Sequence, residues 1–188
     1  MKSINIRLPL LILVLVHGAV ASLWAQEKYI DTNGIVIFEA SEQLFEEVKA
    51  ANESVTAILS TETNQIASLA LIKGFHFKNS LMEEHFNENY IESDIYPKAK
   101  FKGNLIDLDV VELDENVKEV PVEGVLEVRG EQKEVHTVLK TQKIGDIISI
   151  TGEFTVTPGD FAIEIPKIVR NKIAKEVLVK LDFKLAKK

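Results

Sequence analysis

The ten residues EVLVKLDFKL, Glu176 to Leu185, decide how the rest of the chain is read. Val177, Val179, Leu181, Phe183 and Leu185 fall on one side of a two-residue period, and Leu178, Lys180, Asp182 and Lys184 on the other. Side chains of a strand alternate between its two faces, so this stretch has one face for a core and one for water. A helix would scatter the same residues around its axis.

The same period recurs upstream. In DIISITGEFTV, Ile148, Ile150, Phe154 and Val156 oppose Ser149, Thr151, Glu153 and Thr155, with Gly152 on the apolar side as a bend or a close approach. KAKFKGNL sets Ala99, Phe101, Gly103 and Leu105 against Lys98, Lys100, Lys102 and Asn104, and VEGVLEVRG sets Val122, Leu126 and Val128 against Glu123, Glu127 and Arg129. Further strands are expected at Gly34 to Ala40, Ser54 to Thr61, Gln65 to Lys73 and Glu134 to Thr141, about eight in all. Both faces of Gln65 to Phe77 are apolar, so the pattern leaves its inward face open. The separators Asp31-Thr32-Asn33-Gly34, Arg129-Gly130-Glu131, Gly145-Asp146 and Pro158-Gly159-Asp160 carry turn chemistry. Short links of this kind join antiparallel neighbours. The expected fold is all-β with one or two short helices, a single antiparallel barrel or sandwich. The helical exceptions are Ser80 to Asn87, with Ser80 as N-cap and Glu83 in a capping box, and a helical turn or irregular crossover within Ile165 to Lys175.

Residues 1–25 have the build of a secretory signal peptide. Lys2 and Arg7 form a basic start, Leu8 to Val16 an apolar run, and Ala19, Ala21 and Ala25 the small-residue end. The run is shorter than the ~20 residues a bilayer needs. Cleavage is expected after Ala25, with Ala19-Val20-Ala21 as an earlier alternative, leaving one domain over 26–188 in the periplasm or outside the cell. The sequence holds no cysteine, which excludes a disulfide framework and a cysteine-linked lipid anchor. Of 22 Lys+Arg and 29 Asp+Glu, the first 25 residues carry two bases and no acid, so the remainder has 20 against 29, net −9. That charge disfavours nucleic acid and anionic membrane surfaces as partners. Strand faces such as Lys98, Lys100 and Lys102 also argue against a membrane-embedded barrel, whose outer face must be apolar.

Candidate chemistry falls at three places. His76 and His85, with Glu83, Glu84 and Glu88, could hold a divalent cation, but their spacing fits no compact ligand motif and a solvated role is favoured. His136 shares a strand face with Lys140 and is expected at the surface. There is no G-x-S-x-G elbow and no phosphate-cradling glycine loop, so no catalytic residue, metal or cofactor is assigned. The aromatics Phe38, Phe75, Phe77, Phe86, Phe101, Phe154 and Phe183, with Tyr90 and Tyr96, are spread over many elements. They either pack a solid core or line a cavity, since a barrel of about eight strands is just wide enough for one small ligand.

LMEEHFNENYIESDIYPKAKFKG, Leu81 to Gly103, adds a further signal when taken with the later VEGVLEVRGEQKEV and GEFTVTPGDFAIEIP. His85-Phe86, Tyr96-Pro97, Phe101-x-Gly103 and the Val122-x-Gly124-x-Leu126-x-Val128-x-Gly130 alternation resemble the YceI-like family of exported, lipocalin-like proteins across nearly all of the chain after residue 25. The resemblance implies an extended antiparallel β-barrel whose interior takes a long isoprenoid or other apolar chain, and a protein that is not an enzyme. It implies an irregular loop over Asn89 to Pro97 near a barrel mouth, with Phe86, Tyr90 and Tyr96 turned inward. The expected wall is Phe75, Phe77, Met82, Phe86, Tyr90, Phe101, Phe154 and Phe183. The alternatives are an interaction module with a filled barrel, or, behind it, a His/Glu metal protein or hydrolase; a homodimer is left open.

Overall fold

The alternating runs form long, twisted strands that close on themselves. The computed structural model describes residues 27–42 and 46–188; the expected signal peptide lies outside them. The strands are β1 (Lys28–Ser41), β2 (Lys49–Ser60), β3 (Gln65–Leu71), β4 (His76–Phe77), β5 (Lys98–Leu105), β6 (Lys118–Val128), β7 (Glu131–Ile144), β8 (Ile147–Val156) and β9 (Ile173–Lys187), with one short helix α1 (Ser80–His85). Their order is β1-β9-β8-β7-β6-β5-β3-β2, and β2 pairs back to β1. Every pairing is antiparallel, so eight strands make a closed barrel, and β4 adds a two-residue bridge beside Ala50 and Ala51 of β2.

Two tight turns follow from their residues. Arg129 (φ 52°) and Gly130 (φ 79°) occupy the central positions of the β6–β7 turn, where two left-handed residues match the twist of the hairpin. Gly145 (φ 60°) opens the β7–β8 turn.

Asp31-Thr32-Asn33-Gly34 is not a separator. It lies inside β1, where the register with both neighbours shifts. One Asp31 carboxylate oxygen accepts from the Asn33 amide at 2.8 Å, and the other from the Lys184 amide on β9 at 2.7 Å. The carboxylate thus replaces a carbonyl of the ladder, and turn chemistry produces a bulge instead of a chain reversal.

The two ends of the barrel differ. At one end the loop 106–117 folds across the opening: Asn64 Nδ2 donates to the Leu108 carbonyl at 2.7 Å, and the Lys143 amide donates to the Asp114 carbonyl at 2.7 Å. Leu108 and Leu113 are buried there against Tyr29, Leu59, Leu105, Val120, Ile148, Ile150 and Leu185. At the other end the segments 46–48, 72–97 and 157–172 surround a mouth.

Candidate ligand-binding site

The mouth loops are held by specific polar groups. Asn52, fully buried on β2, donates from Nδ2 to the Leu71 carbonyl at 2.9 Å and accepts from the Ser54 amide and hydroxyl, both at 3.0 Å. It caps the end of β3 and starts the excursion that carries β4 and α1. The N-cap of α1 is Asn79, not Ser80: its Oδ1 accepts from the Leu81 and Met82 amides at 3.0 and 3.4 Å. Its Nδ2 reaches Glu46 at 3.0 Å and ties the helix to the loop before β2. Glu83 is also not in a capping box. It turns back to accept from the Phe77 amide at 2.9 Å, with His76 Nδ1 at 3.4 Å.

These contacts press α1 and the following π-type turn, Phe86–Tyr90, against the barrel rim. Phe86 packs on Phe38 and Phe77, each 5.2 Å between ring centres, and Phe38 lies 5.4 Å from Phe75. Offset and tilted rings at such distances add about 0.5–1.5 kcal/mol per pair beyond burial.

Beneath this cluster the barrel is hollow. One cavity of about 530 Å³ opens at the mouth, and Phe75, Phe77, Met82, Phe86, Tyr90, Phe101, Phe154 and Phe183 all line it. The inward face of β3, which the pattern left open, is Ile66, Ser68 and Ala70. Phe38 and Phe161 belong to the wall as well and are absent from the expected set. Phe38 alternates with Val36 and Ala40 and so carried a readable signal, whereas Phe161 sits in a short 3₁₀ turn, Pro158–Phe161, with no period to reveal it.

The family model of the YceI-like domain matches residues 29–185. The chain belongs to the YceI-like family. Among curated proteins no sequence matches it. Solved structures share the fold at low identity. A polyisoprenoid binding domain from Saccharophagus degradans, implicated in plant cell wall breakdown, superposes with a TM-score of 0.75 at 14% identity, over 86% of this chain and 98% of that one. BcnA of Burkholderia cenocepacia gives 0.61 at 13%, over 81% and 96%, and the YCEI protein of Campylobacter jejuni 0.58 at 12%, over 78% and 88%.

Within this YceI-like barrel the cavity has a closed bottom. The Phe101 ring lies over two glycines: a Cβ on Gly124 would meet its Cζ at 2.5 Å, and one on Gly103 at 2.8 Å. Phe183 lies against Gly34, in the β1 bulge, and Leu139 against Gly152, where a Cβ would meet ring or methyl carbons at 2.6 and 2.3 Å. Each large side chain leans across a neighbouring strand because that strand offers no side chain there. Gly152 thus marks a close approach and not a bend. Below this layer stand the buried residues of the plugged end, none of which lines the cavity.

The rim is charged and cross-braced. Arg129 donates to Glu92 and to the Ala162 carbonyl (2.8 Å), and its guanidinium sits 5.7 Å from the Tyr96 ring centre. Glu92, Arg129 and Ala162 all have left-handed φ values of 52–55°, uncommon for non-glycine residues, and all three meet at this one guanidinium. Tyr96 is therefore a brace outside the cavity, against the expectation that it points in. Lys133 donates to Asp160 at 2.9 Å, and that bond, followed by those from Thr157, holds the Asp160 carboxyl below the usual carboxylate range. His76 and His136 are exposed, and His85 sits on the cavity lip. Among the described residues, no three His, Asp or Glu side chains come together as a metal site would need, and no helix is long and apolar enough to cross a membrane.

Proposed function

We propose that this YceI-like chain is an exported, non-enzymatic protein that sequesters or carries an apolar molecule of isoprenoid or related type, held in its barrel with the polar end at the mouth. The observation that carries this reading is the half-hollow barrel: about 530 Å³ of space walled by aromatic and aliphatic side chains and open at one end. Ligand sites fall in the range of roughly 300–1,000 Å³ with mostly apolar walls. The polyisoprenoid binding domain from Saccharophagus degradans, with the same fold, supports the class of ligand.

Each methylene removed from water contributes about 0.8 kcal/mol. About ten of them give roughly 8 kcal/mol before ordering costs, enough for a micromolar complex when those costs are small. Met82, among the stiff phenyl rings, supplies a side chain that adapts to the ligand surface. The basic start and apolar run of residues 1–25 support export to the periplasm or beyond, with Gln26 as first residue of the processed chain.

Native and denaturing mass spectrometry of the protein purified from its own host tests both parts. The expected result is a processed chain plus a hydrophobic compound in stoichiometric amount, released on denaturation. Bare protein, even after incubation with a cellular lipid extract, would refute the carrier role, and an unprocessed chain would refute export.

A further inference from the structure

We infer, resting on the carrier reading above, that the seam between β7 and β8 is a side gate, which parts along the hollow half of the barrel and lets the ligand pass through the wall instead of threading in end-on from the mouth. The ladder between these strands runs only from the Leu139–Gly152 pair to the Ile144–Ile147 pair, although β7 reaches on to Glu131 and β8 to Val156. Each stays paired on its other side, β7 with β6 as far as Glu131 and β8 with β9 as far as Val156. Glu131 to Val138 and Glu153 to Val156 are therefore two firm edges with no backbone pairing between them. β2 and β3 also diverge toward the mouth, but there β4 and the Asn52 side chain fill the gap. Among the described residues, no strand fills the gap between β7 and β8.

The gap lies beside the cavity. Pairing resumes at Leu139 and Gly152, in the layer that closes the cavity bottom, so the unpaired stretch flanks the hollow half alone. Val135, Thr137, Phe154 and Val156 line both the cavity and an outer recess between the two strands, and this single layer of side chains separates the interior from solvent. Only side chains bridge the gap. The Thr137 hydroxyl donates to the Glu153 carbonyl at 2.9 Å, while Lys133 to Asp160 (2.9 Å) and Arg129 to the Ala162 carbonyl (2.8 Å) pin the segment that crosses over from the end of β8. These bonds can part without the loss of any ladder bond, and an exposed ion pair such as Lys133 with Asp160 stabilises little. Widening the mouth, in contrast, means separating Phe86 from Phe38 and Phe77.

The sequence holds no cysteine, so a pair introduced by His136→Cys and Thr155→Cys is unique. Continuing the ladder register sets these two exposed positions opposite each other, and neither lines the cavity. A short bis-methanethiosulfonate linker clamps the seam across them, and a reductant frees it. Stopped-flow mixing with a fluorescent long-chain fatty acid reads the association and dissociation rates. The clamp should slow both by about tenfold or more and leave Kd nearly unchanged, because a gate sets the barrier between bound and free states and not the states themselves; reduction should restore both rates. Lys133→Ala removes the bond to Asp160 and should quicken both rates by about two- to fivefold, whereas Lys73→Ala, which breaks an exposed pair with Asp94 away from the seam, should leave them as they are. This comparison decides the matter if the cysteine variant folds poorly or the linker does not bridge it. Clamped rates equal to the reduced ones, a clamp that changes dissociation alone, or a Lys133→Ala variant no faster than Lys73→Ala overturns the gate and leaves the carrier reading intact. Absence of fatty-acid binding by the unmodified protein overturns both.

Discussion

Glycine 124 shows how single residues set this barrel's shape. A methyl group there would lie 2.5 Å from the Phe101 ring, 2.7 Å from the Gly103 Cα and 2.7 Å from the Lys102 carbonyl, and two of those three neighbours are backbone. Gly124→Ala should therefore cost about 1–3 kcal/mol, as overpacking does, and lift the Phe101 ring into the cavity. Urea denaturation checks it, with Gly159→Ala as control, since a Cβ at Gly159 would have only the Thr157 hydroxyl within reach, at 4.0 Å. A loss at Gly124 no larger than at Gly159 would mean that the ring simply swings aside. The wall aromatics Phe101, Phe154 and Phe183 were legible in the sequence because each sits at an alternating position of a strand. That Phe101 leans over Gly103 and Gly124 was not, because it depends on which residues the β5–β6 register places side by side.

At the scale of elements, α1 owes its position to its cap more than to its burial, for none of its residues is fully buried. Asn79→Ala removes the acceptor for the Leu81 and Met82 amides and the link to Glu46, and N-cap losses of this kind cost about 1 kcal/mol. Hydrogen exchange should quicken over residues 80–90 while the amides of β6 to β9 keep their protection. Equal acceleration everywhere would show that α1 is part of the cooperative core instead of a separately opening cover. The helix itself was readable, but its cap was displaced by one residue, because Asn79 and Ser80 are both good N-cap residues and only the path of the chain after β4 chooses between them. The same ambiguity explains Asp31 to Gly34. An Asx turn and a glycine mark a hairpin or a bulge equally well, and the decision belongs to the Lys184 amide, more than a hundred residues away in sequence.

For the whole molecule, a ligand that binds only the folded barrel must stabilise all of it. At a free concentration one hundred times its Kd, linkage adds about 2.7 kcal/mol, which in a domain of this size raises Tm by about 5–10 °C. Differential scanning calorimetry with a long saturated fatty acid would show it, and an unchanged Tm at saturation would mean that the fatty acid binds the folded and the unfolded chain alike. The barrel class was legible from alternation and turn spacing, but the division into a plugged half and a hollow half was not, since both halves alternate alike. Closure itself joins the two extremes of the domain: Tyr29 of β1 pairs with Lys187 of β9. Until β9 is in place, β1 and β8 each present a long row of unpaired backbone groups to any passing strand. The last fifteen-residue strand is thus the clasp of the fold. Contacts of such sequence separation form slowly, so the hazard of self-association through these edges lasts until β9 pairs with β1.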